Sequence, residues 1–369
     1  MSARWRIAVV AKRSYCVTES GLDDAAMQQP LVDAPTFAAD GLQLEHDTDL
    51  LWKKPMVDVV VLGHVYPHEN RHRCTMSIRV GALARTLAVS GDRRLERDRH
   101  GNPRFSPPQP FERISLGWES AYGGYDASAL EAYGDPSEAL RRETGVDERP
   151  QFGFYAYPRN PVGRGYLVEI SDAAIARCQL PNLEQPGHIL TPERLIAGNS
   201  LAWPGGPLPA STAWLPYSYF PRMSLLGLSP LPFDEDTFPI RELAEVKLGL
   251  LSEQALALDA PAHTRYDLRA AQSSAPGMRV ERIEPGDAVE IRNAHPTQAI
   301  WRFSLTVRPP QMWFALHNEA PQQLIPRIRT VIIEPDHESV RLVWVGELAL
   351  ERSLSTEQLD TIQHAVAWG

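Results

Sequence analysis

The sequence is poor in cysteine. Three of its 369 residues are cysteine, namely Cys16, Cys74 and Cys178, and their spacing shows no pairs. A count this low and odd does not form a disulfide framework, so it argues against a small disulfide-stabilised secreted fold. We expect free thiols in a reducing compartment.

Long apolar runs and an excess of positive charge are also missing. The N-terminal apolar stretch, residues 7–11, is too short for a signal-peptide core or a membrane span. Lys and Arg number 37 against 46 Asp and Glu, which gives a formal net charge of −9. Because nucleic acids and anionic membranes attract basic surfaces, we expect a cytoplasmic protein with no nucleic-acid partner and no membrane insertion.

Motifs of catalysis and cofactor binding are missing too. No Gly-Lys-Ser/Thr follows the glycine-rich stretches, and the chain holds no Gly-x-Ser-x-Gly. These absences argue against a phosphate-binding loop and a serine-hydrolase elbow, so the sequence predicts no cofactor and no catalytic residues. One enzyme alternative stays open: a hydrolase with a histidine in the glycine- and aromatic-rich centre of the chain.

One histidine pattern points to metal. His64, His68 and His72 follow one another at a spacing of four, with Cys74 close by. On a helix this spacing would place three imidazoles on one face, as a zinc site requires. Pro67 would disrupt such a helix, and the flanking sequence is typical of strands. The pattern therefore favours a polar turn, and the three histidines are weak metal candidates.

Strand patterns are abundant. The 32 prolines and 24 glycines are spread along the chain, which indicates many short elements joined by turns. Residues 57–65 form a continuous apolar run, typical of a strand buried on both faces. Residues 75–80 alternate polar and apolar, as a half-buried strand does. With a turn over residues 64–73, the two predict a hairpin.

The whole pattern predicts a mainly β fold (β-rich α+β). We expect antiparallel sheets in two packed parts, long ordered loops and a few short helices. The apolar spacing over residues 236–260 predicts one longer helix. Ser355 and Gln358 fit the capping box of an amphipathic terminal helix.

Three segments follow from this pattern. Residues 1–230 form a β-rich domain with Gly/Pro/aromatic loops, residues 231–275 a helical connection, and residues 276–369 a strand-rich part with a terminal helix. Alternatively, the two strand-rich parts share one core.

A proline-punctuated aromatic stretch is the main candidate for partner binding, because aromatic side chains anchor protein interfaces. Its members are Trp203, Trp214, Tyr217, Tyr219 and Phe220. Alternatively, these residues fold back onto the core, or Trp203 and Trp214 serve a carbohydrate-binding β module. Arg93 and Arg222, beside turns and aromatics, are expected to tie loop carbonyls or a carboxylate together.

Six glycine-, proline- and aromatic-rich blocks occur in a fixed order. They are KKPMVDVVVLGH from Lys53, VSGDRR from Val89, ESAYGGYD from Glu119, NPVGRG from Asn160, LPNLEQP from Leu180 and WPGGPLP from Trp203. In this order they resemble the accessory (effector-adaptor) proteins of bacterial type VI secretion, whose genes lie beside PAAR-type effectors. The resemblance covers most of residues 48–228 and resumes at 286–310 and 327–350. The last of these ranges looks like the family's closing hairpin, with Glu334-Pro335-Asp336-His337 as a turn between two β-branched runs.

The resemblance implies a non-enzymatic cytoplasmic adaptor or chaperone that binds a PAAR-type effector and helps to mount it on the secretion spike. The family has no established catalytic residues. Its motif positions, expected to shape the fold, are Gly91, Asp92, Arg93, Gly123, Gly124, Asn160, Pro161, Gly163 and Gly165. The chain departs from the family at Arg94-Leu95, where an aromatic residue is usual, and in the length of the segment 236–260, which bears on the effector type.

Overall fold

The computed structural model describes residues 5–134, 155–195, 206–222 and 272–369, apart from 40, 42, 52–53, 220–221, 317–318, 351–353, 356–357 and 359–360. The predicted helix near 236–260 lies outside the described residues. No helix within the described ranges is long and apolar enough to cross a membrane.

Strands dominate the described residues. In chain order they are β1 (Trp5–Thr18), β2 (Gly21–Asp24), β3 (Thr36–Phe37), β4 (Leu44–His46), β5 (Val57–Val61), β6 (His64–Val65), β7 (Arg73–Val80), β8 (Leu83–Ser90), β9 (Leu95–Arg97), β10 (Pro103–Phe105), β11 (Ile114–Ser115), β12 (Tyr122–Gly123), β13 (Arg164–Gly165), β14 (Leu183–Glu184), β15 (Arg279–Val280), β16 (Ala288–Arg292), β17 (Ile300–Ser304), β18 (Gln311–Ala315), β19 (Gln322–Leu324), β20 (Pro326–Glu334), β21 (Ser339–Leu350) and β22 (Gln363–Ala367). The described α-helices are α1 (Ala127–Tyr133) and α2 (Asp172–Arg177). The predicted mainly β fold is confirmed.

The largest sheet has six strands in the order β15-β5-β20-β21-β1-β2. Among the described strands of this sheet, only β5 and β20 pair in parallel, and its other neighbouring pairs are antiparallel. All five residues of β5 are buried, as predicted for a strand covered on both faces. The predicted closing hairpin is also present, because β20 and β21 pair across a 3-10 turn at Pro335–His337.

The second sheet has five antiparallel strands in the order β14-β8-β7-β16-β17. Here the predicted hairpin between residues 57–65 and 75–80 is wrong. Strand β7 instead pairs with β8 across a short turn at Gly81, whose φ is +54°. Residues 62–72 carry the chain from one sheet to the other. Strand β5 pairs with the apolar strand β20, which is far away in sequence, and not with β7.

One hydrophobic core lies against both sheets. It contains Val59 and Leu342 of the six-stranded sheet together with Ile78, Leu87 and Ile291 of the five-stranded sheet. Strands from the predicted N-terminal and C-terminal parts therefore pair in one sheet and bury their side chains together. The division at 230 and 275 stays a prediction.

The loop-rich centre has a smaller core of its own. Tyr122, Tyr157 and Tyr166 pack with ring centroids 5.0 and 5.2 Å apart, and Cys178 and neighbouring leucines complete the cluster. The rings let loops without regular secondary structure bury apolar area, as we predict for ordered loops. Both short helices begin at side-chain caps, Asp126 for α1 and Ser171 for α2.

The predicted terminal helix is wrong from Gln363 onward. The capping-box bonds between Ser355 and Gln358 do form, at 3.1 and 3.2 Å. Residues 363–367 are nevertheless strand β22, which pairs with β18 in a three-stranded sheet, β19-β18-β22. The helix prediction rests on the helical spacing of Leu359, Ile362 and Val366. The edge of β18 offers residues 363–367 backbone hydrogen-bond partners, and this pairing outweighs the helical spacing.

Candidate functional site

Four sequence motifs meet at one place, which we call the motif junction: residues 91–94, 121–126, 160–165 and 180–184. Backbone bonds join them directly. Gly124 N donates to Asn160 O at 2.8 Å, and Leu180 N donates to Arg93 O at 3.1 Å. Strands β12 and β13 pair in parallel here. Segments as far as 91 residues apart in sequence are thus tied into a single frame.

Asn160 lies at the centre of the motif junction. Its side chain is fully buried, and Nδ2 donates to Trp118 O at 2.8 Å and to Tyr122 O at 3.0 Å. A Cβ at Gly123 would lie 2.1 Å from Asn160 O, and one at Gly163 would lie 2.3 Å from Asn160 Nδ2. Glycine is required at both positions because the backbone approaches Asn160 too closely for any side chain.

Arg93 is a structural tie, as predicted. Its side chain is buried, and Nη2 donates to Pro181 O and to Glu184 Oε2, both at 2.6 Å. Glu184 Oε1 in turn accepts from Leu190 N at 2.7 Å. The guanidinium and the carboxylate thus neutralise each other while holding two loops together.

Asn182 connects the remaining motifs. Its Nδ2 donates to Ser90 O and to Asp92 Oδ1, each at 3.0 Å, and its Oδ1 accepts from Arg164 Nη1 at 3.0 Å. Arg164 Nε also donates to Glu119 O at 2.8 Å. These motif side chains bond to the protein itself.

A cavity of about 210 Å³ lies beside the motif junction, with glycine backbone on one wall. Asp126 borders it, but its carboxylate already accepts from Ser128 N, Ala129 N and Val168 N as a helix cap. Cys178 also borders it, and burial, helped by the charge of Asp126, raises the pKa of this thiol to about 12. Neither group is therefore prepared for acid–base or nucleophilic chemistry.

The aromatic stretch folds back onto the protein. Trp214 is 2% exposed and packs at a tilt against His46, with ring centroids 4.8 Å apart. Tyr219 is 1% exposed and packs edge-to-face with Trp118, with ring centroids 5.7 Å apart. Tyr217 is half-buried. Trp203 and Phe220 lie outside the described residues. Partner binding by this stretch stays a prediction, but the burial of Trp214 weakens the carbohydrate alternative, which needs exposed rings.

A buried ion pair holds the end of this stretch. Arg222 Nη2 lies 2.6 Å from Asp47 Oδ2 with both side chains fully buried, and Arg222 Nη1 donates to Leu215 O. Tyr217 donates its hydroxyl to Asp47 Oδ1 at 2.7 Å. Burial alone would raise the pKa of Asp47, but the charges of Arg222 and Lys54 and the two side-chain hydrogen bonds lower it to about 2. The structural tie predicted for Arg222 is confirmed.

Asp58 forms a second buried pair, with Lys54, at 2.8 Å. The carboxylate also accepts from Ser273 N at 2.9 Å and from Ser274 Oγ at 2.6 Å. Burial opposes its ionisation, but Lys54 and Arg279 and these bonds lower its pKa. Sequence reasoning missed Asp58, although one carboxylate inside the apolar run VDVVV was a signal.

The metal candidates are not brought together. His64 Nδ1 lies 2.6 Å from Asp336 Oδ2, His68 Nε2 lies 3.0 Å from the carbonyl oxygen of His295, and His72 Nδ1 lies 2.9 Å from that of Pro108. Within the described ranges, no group of three or more His, Cys, Asp or Glu side chains is placed to hold a metal ion.

His64 and Asp336 form a histidine–carboxylate pair, which a hydrolase would use to activate a hydroxyl. Ser115 lies opposite His64 on β11, but its Oγ accepts from Gly117 N at 3.1 Å, and no hydrogen bond joins it to the imidazole. The pair also lies outside the glycine-rich centre where the hydrolase alternative places its histidine. The geometry does not complete a catalytic triad.

Comparison with known proteins identifies the family. A family model described as an uncharacterized protein conserved in bacteria (DUF2169) matches residues 3–345. No curated protein matches the chain, and no solved structure does. The matched range includes the motif junction, the buried ion pairs and both large sheets apart from the last five residues of β21. The chain therefore belongs to this bacterial family.

Proposed function

We propose that the chain is a non-enzymatic cytoplasmic adaptor. It binds a type VI secretion effector of the PAAR type and assists the loading of that effector onto the spike. The order of the motif blocks, which resembles that of type VI accessory proteins, supports this assignment, and no cofactor is needed for it.

The observation that carries the proposal is that the motif side chains hydrogen-bond to the protein's own loops. Arg93, Asn160, Arg164 and Asn182 each donate hydrogen bonds to other loops of the same chain. Polar groups that are used in this way build a rigid frame rather than a reaction centre. A rigid frame suits a protein that shields an apolar or edge-strand surface of a client until assembly. The net negative charge favours clients with basic regions.

An affinity pull-down tests the proposal. The tagged protein is recovered from a lysate of its native host, grown so that the secretion system is expressed, and captured proteins are quantified by mass spectrometry against an untagged control. We expect enrichment of a PAAR-type effector or a spike component. If no secretion component is captured at any salt concentration, the adaptor function is wrong.

The segment 236–260 is the proposed determinant of effector choice. The chain on either side of it is tied together, because Leu215 N donates to Ser273 O at 2.8 Å and the two carboxylates Asp47 and Asp58 hold Arg222 and Ser274. Deleting 236–260 should therefore change the melting temperature by no more than about 3 °C. The same variant should lose the captured effector in the pull-down. A large fall in melting temperature would show that the segment supports the fold instead.

A further inference from the structure

Residues 14–52 contain no lysine and no arginine. Eight acidic residues lie in this stretch, namely Glu19, Asp23, Asp24, Asp33, Asp40, Glu45, Asp47 and Asp49. A stretch so one-sided presents negative charge at neutral pH unless the rest of the chain neutralises it. We call residues 19–50 the acidic-apolar segment.

Three of these carboxylates are neutralised within the protein. The ion pairs are Asp24 with Arg13, Asp47 with Arg222 and Asp49 with Lys12. Four others, Glu19, Asp23, Asp33 and Glu45, are exposed, and in the part of the chain that the structure describes they have no ion-pair partner. Net negative charge is thus left on the surface of this segment.

The same segment exposes apolar side chains. Among the described residues, eight large hydrophobic side chains are exposed, and four of them, Met27, Leu31, Phe37 and Leu50, lie here, with exposed fractions of 74%, 40%, 41% and 45%. Asp49 N donates to Val32 O at 2.8 Å, which places Leu31 and Leu50 on neighbouring stretches of chain. Half of the exposed large apolar side chains are thus carried by one segment that also carries exposed carboxylates, and exposed apolar surface bordered by charge marks an interaction site.

The acidic-apolar segment is fixed to strand β1. Gln28 accepts from Ser14 N at 2.8 Å and donates to Ser14 O at 3.0 Å. Lys12 Nζ donates to Pro30 O at 3.2 Å and to Asp49 Oδ2 at 2.9 Å. These bonds fix Gln28, Pro30 and Asp49 against strand β1, so a partner would not have to order this part of the segment on binding.

We propose that the acidic-apolar segment is the surface that receives a basic amphipathic segment of the client. The occupant follows from complementarity: its apolar side chains cover Met27, Leu31 and Leu50, and its Lys and Arg side chains face the four carboxylates that have no ion-pair partner. This inference rests on the proposed adaptor function for its biological role, but the surface is tested on its own below.

The probe is a synthetic amphipathic peptide of about 18 residues, or five helical turns, that repeats Lys and Leu. Its binding to the full-length protein is followed by fluorescence anisotropy. We expect saturable binding that weakens about tenfold or more between low and physiological salt, since exposed charges are screened. The matched peptide with Glu in place of Lys should not bind.

Two matched triple variants locate the binding. The first changes Met27, Leu31 and Leu50 to Ser, and it leaves Phe37 unchanged because that ring lies 6.1 Å from the ring of Tyr217. The control changes three exposed side chains elsewhere to Ser, namely Tyr133, Ile189 and Ile325. We expect about a tenfold or greater loss of peptide affinity in the first variant and less than about a twofold change in the control. Equal affinity in both variants would overturn the proposal.

A charge variant completes the test. Asp33→Lys combined with Glu45→Lys should abolish binding of the Lys peptide and allow binding of the Glu peptide. Circular dichroism and melting temperature should match the wild type for every variant, because the changed side chains are exposed. Self-association of the wild type that the serine variant abolishes would assign the surface to a second copy of the chain and overturn the proposal.

The surface assignment and the proposed adaptor function can be contradicted by different results. If the pull-down captures a secretion component equally with wild type and with the Met27/Leu31/Leu50 serine variant, the surface assignment is wrong and the adaptor function stands. If the peptide experiments succeed but the pull-down captures no secretion component, the surface stands and the type VI function is wrong.

Discussion

Asp47 couples the fold to pH. In the unfolded chain its pKa is near 3.8, and in the folded protein the charges and hydrogen bonds around it lower the pKa to about 2. A carboxyl whose pKa is lower when folded contributes stability above its unfolded pKa, and that stability is lost as the pH falls through the folded value. The free energy of unfolding should therefore fall by about 2 kcal/mol from this group between about pH 4 and pH 2.

Urea unfolding at a series of pH values measures this effect. Asp47→Asn should flatten the acid dependence and cost about 3 kcal/mol at pH 7, because Arg222 is left buried without its partner. The control is Asp172→Asn, whose pair with Arg97 leaves the Asp172 side chain 92% exposed and is worth little. An unchanged acid slope in Asp47→Asn would contradict this account of the buried pair.

The three cysteines should differ sharply in reactivity. Cys16 is exposed, whereas burial raises the pKa of Cys74 to about 11 and, together with the charge of Asp126, that of Cys178 to about 12. At pH 8 only about one Cys178 in ten thousand is thiolate, the form that attacks a disulfide reagent. One thiol should therefore titrate rapidly in the native protein and three in denaturant. Cys16→Ser should remove the rapid phase, and rapid labelling of Cys178 would show that the smaller core opens readily.

At the scale of the elements, the loops of the motif junction can pack closely only because glycine carries no side chain. Gly123 has a φ of +147°, and a Cβ there would lie 2.1 Å from the carbonyl oxygen of Asn160. Gly123→Ala forces backbone apart in a place where no flexible side chain can yield, so we expect a loss of about 3 kcal/mol in the free energy of unfolding.

Gly187→Ala is the matched control for this change. Gly187 is exposed in a short 3-10 turn, and nothing lies within 4 Å of a Cβ built on it. The melting temperature of the Gly187→Ala variant should stay within about 2 °C of that of the wild type. Equal stability of the two variants would mean that the loops at Asn160 rearrange without cost.

Elements with a strong local pattern were predictable. The run VDVVV required burial on both faces, and the turn Glu334-Pro335-Asp336-His337 between two β-branched runs became the closing hairpin. Residues 363–367 were not predictable, since three apolar residues at helical spacing compete there with the free edge of β18. The apolar spacing of a segment carries no information about which strand elsewhere in the chain has an unpaired edge.

The site was predictable only in part, because its bonds join distant parts of the chain. The glycine and proline motifs suggested tight turns, and the structure shows why Gly123 and Gly163 must be glycine. Nothing local shows that Asp47 lies against Arg222 or that Asp58 holds Ser274, which is 216 positions away. The residues that look most like a binding platform, Trp214 and Tyr219, are buried instead, because burial and interface formation select the same aromatic side chains.

At the scale of the whole molecule, strands from the two ends of the chain pair to form one sheet. Strand β1 pairs with β21 from Trp5 opposite Leu350 to Cys16 opposite Ser339, and β5 pairs with β20. The six-stranded sheet is therefore assembled from residues on both sides of the segment 236–260. Neither side alone can cover the apolar faces of the central strands, which bury all five residues of β5, five of the nine residues of β20 and six of the twelve residues of β21.

Two fragments, residues 1–235 and 261–369, test this dependence. Expressed separately, each should be insoluble or unfolded, because each exposes strands that the other pairs in the intact chain. Expressed together, they should co-purify as a one-to-one complex with the circular dichroism spectrum of the intact protein, since the bonds near Leu215 and Ser273 need no covalent link across 236–260. A folded, monomeric fragment 261–369 would show instead that the C-terminal part is an independent domain. In that case the hydrophobic core that lies against both sheets would be an interface between domains rather than the centre of one fold.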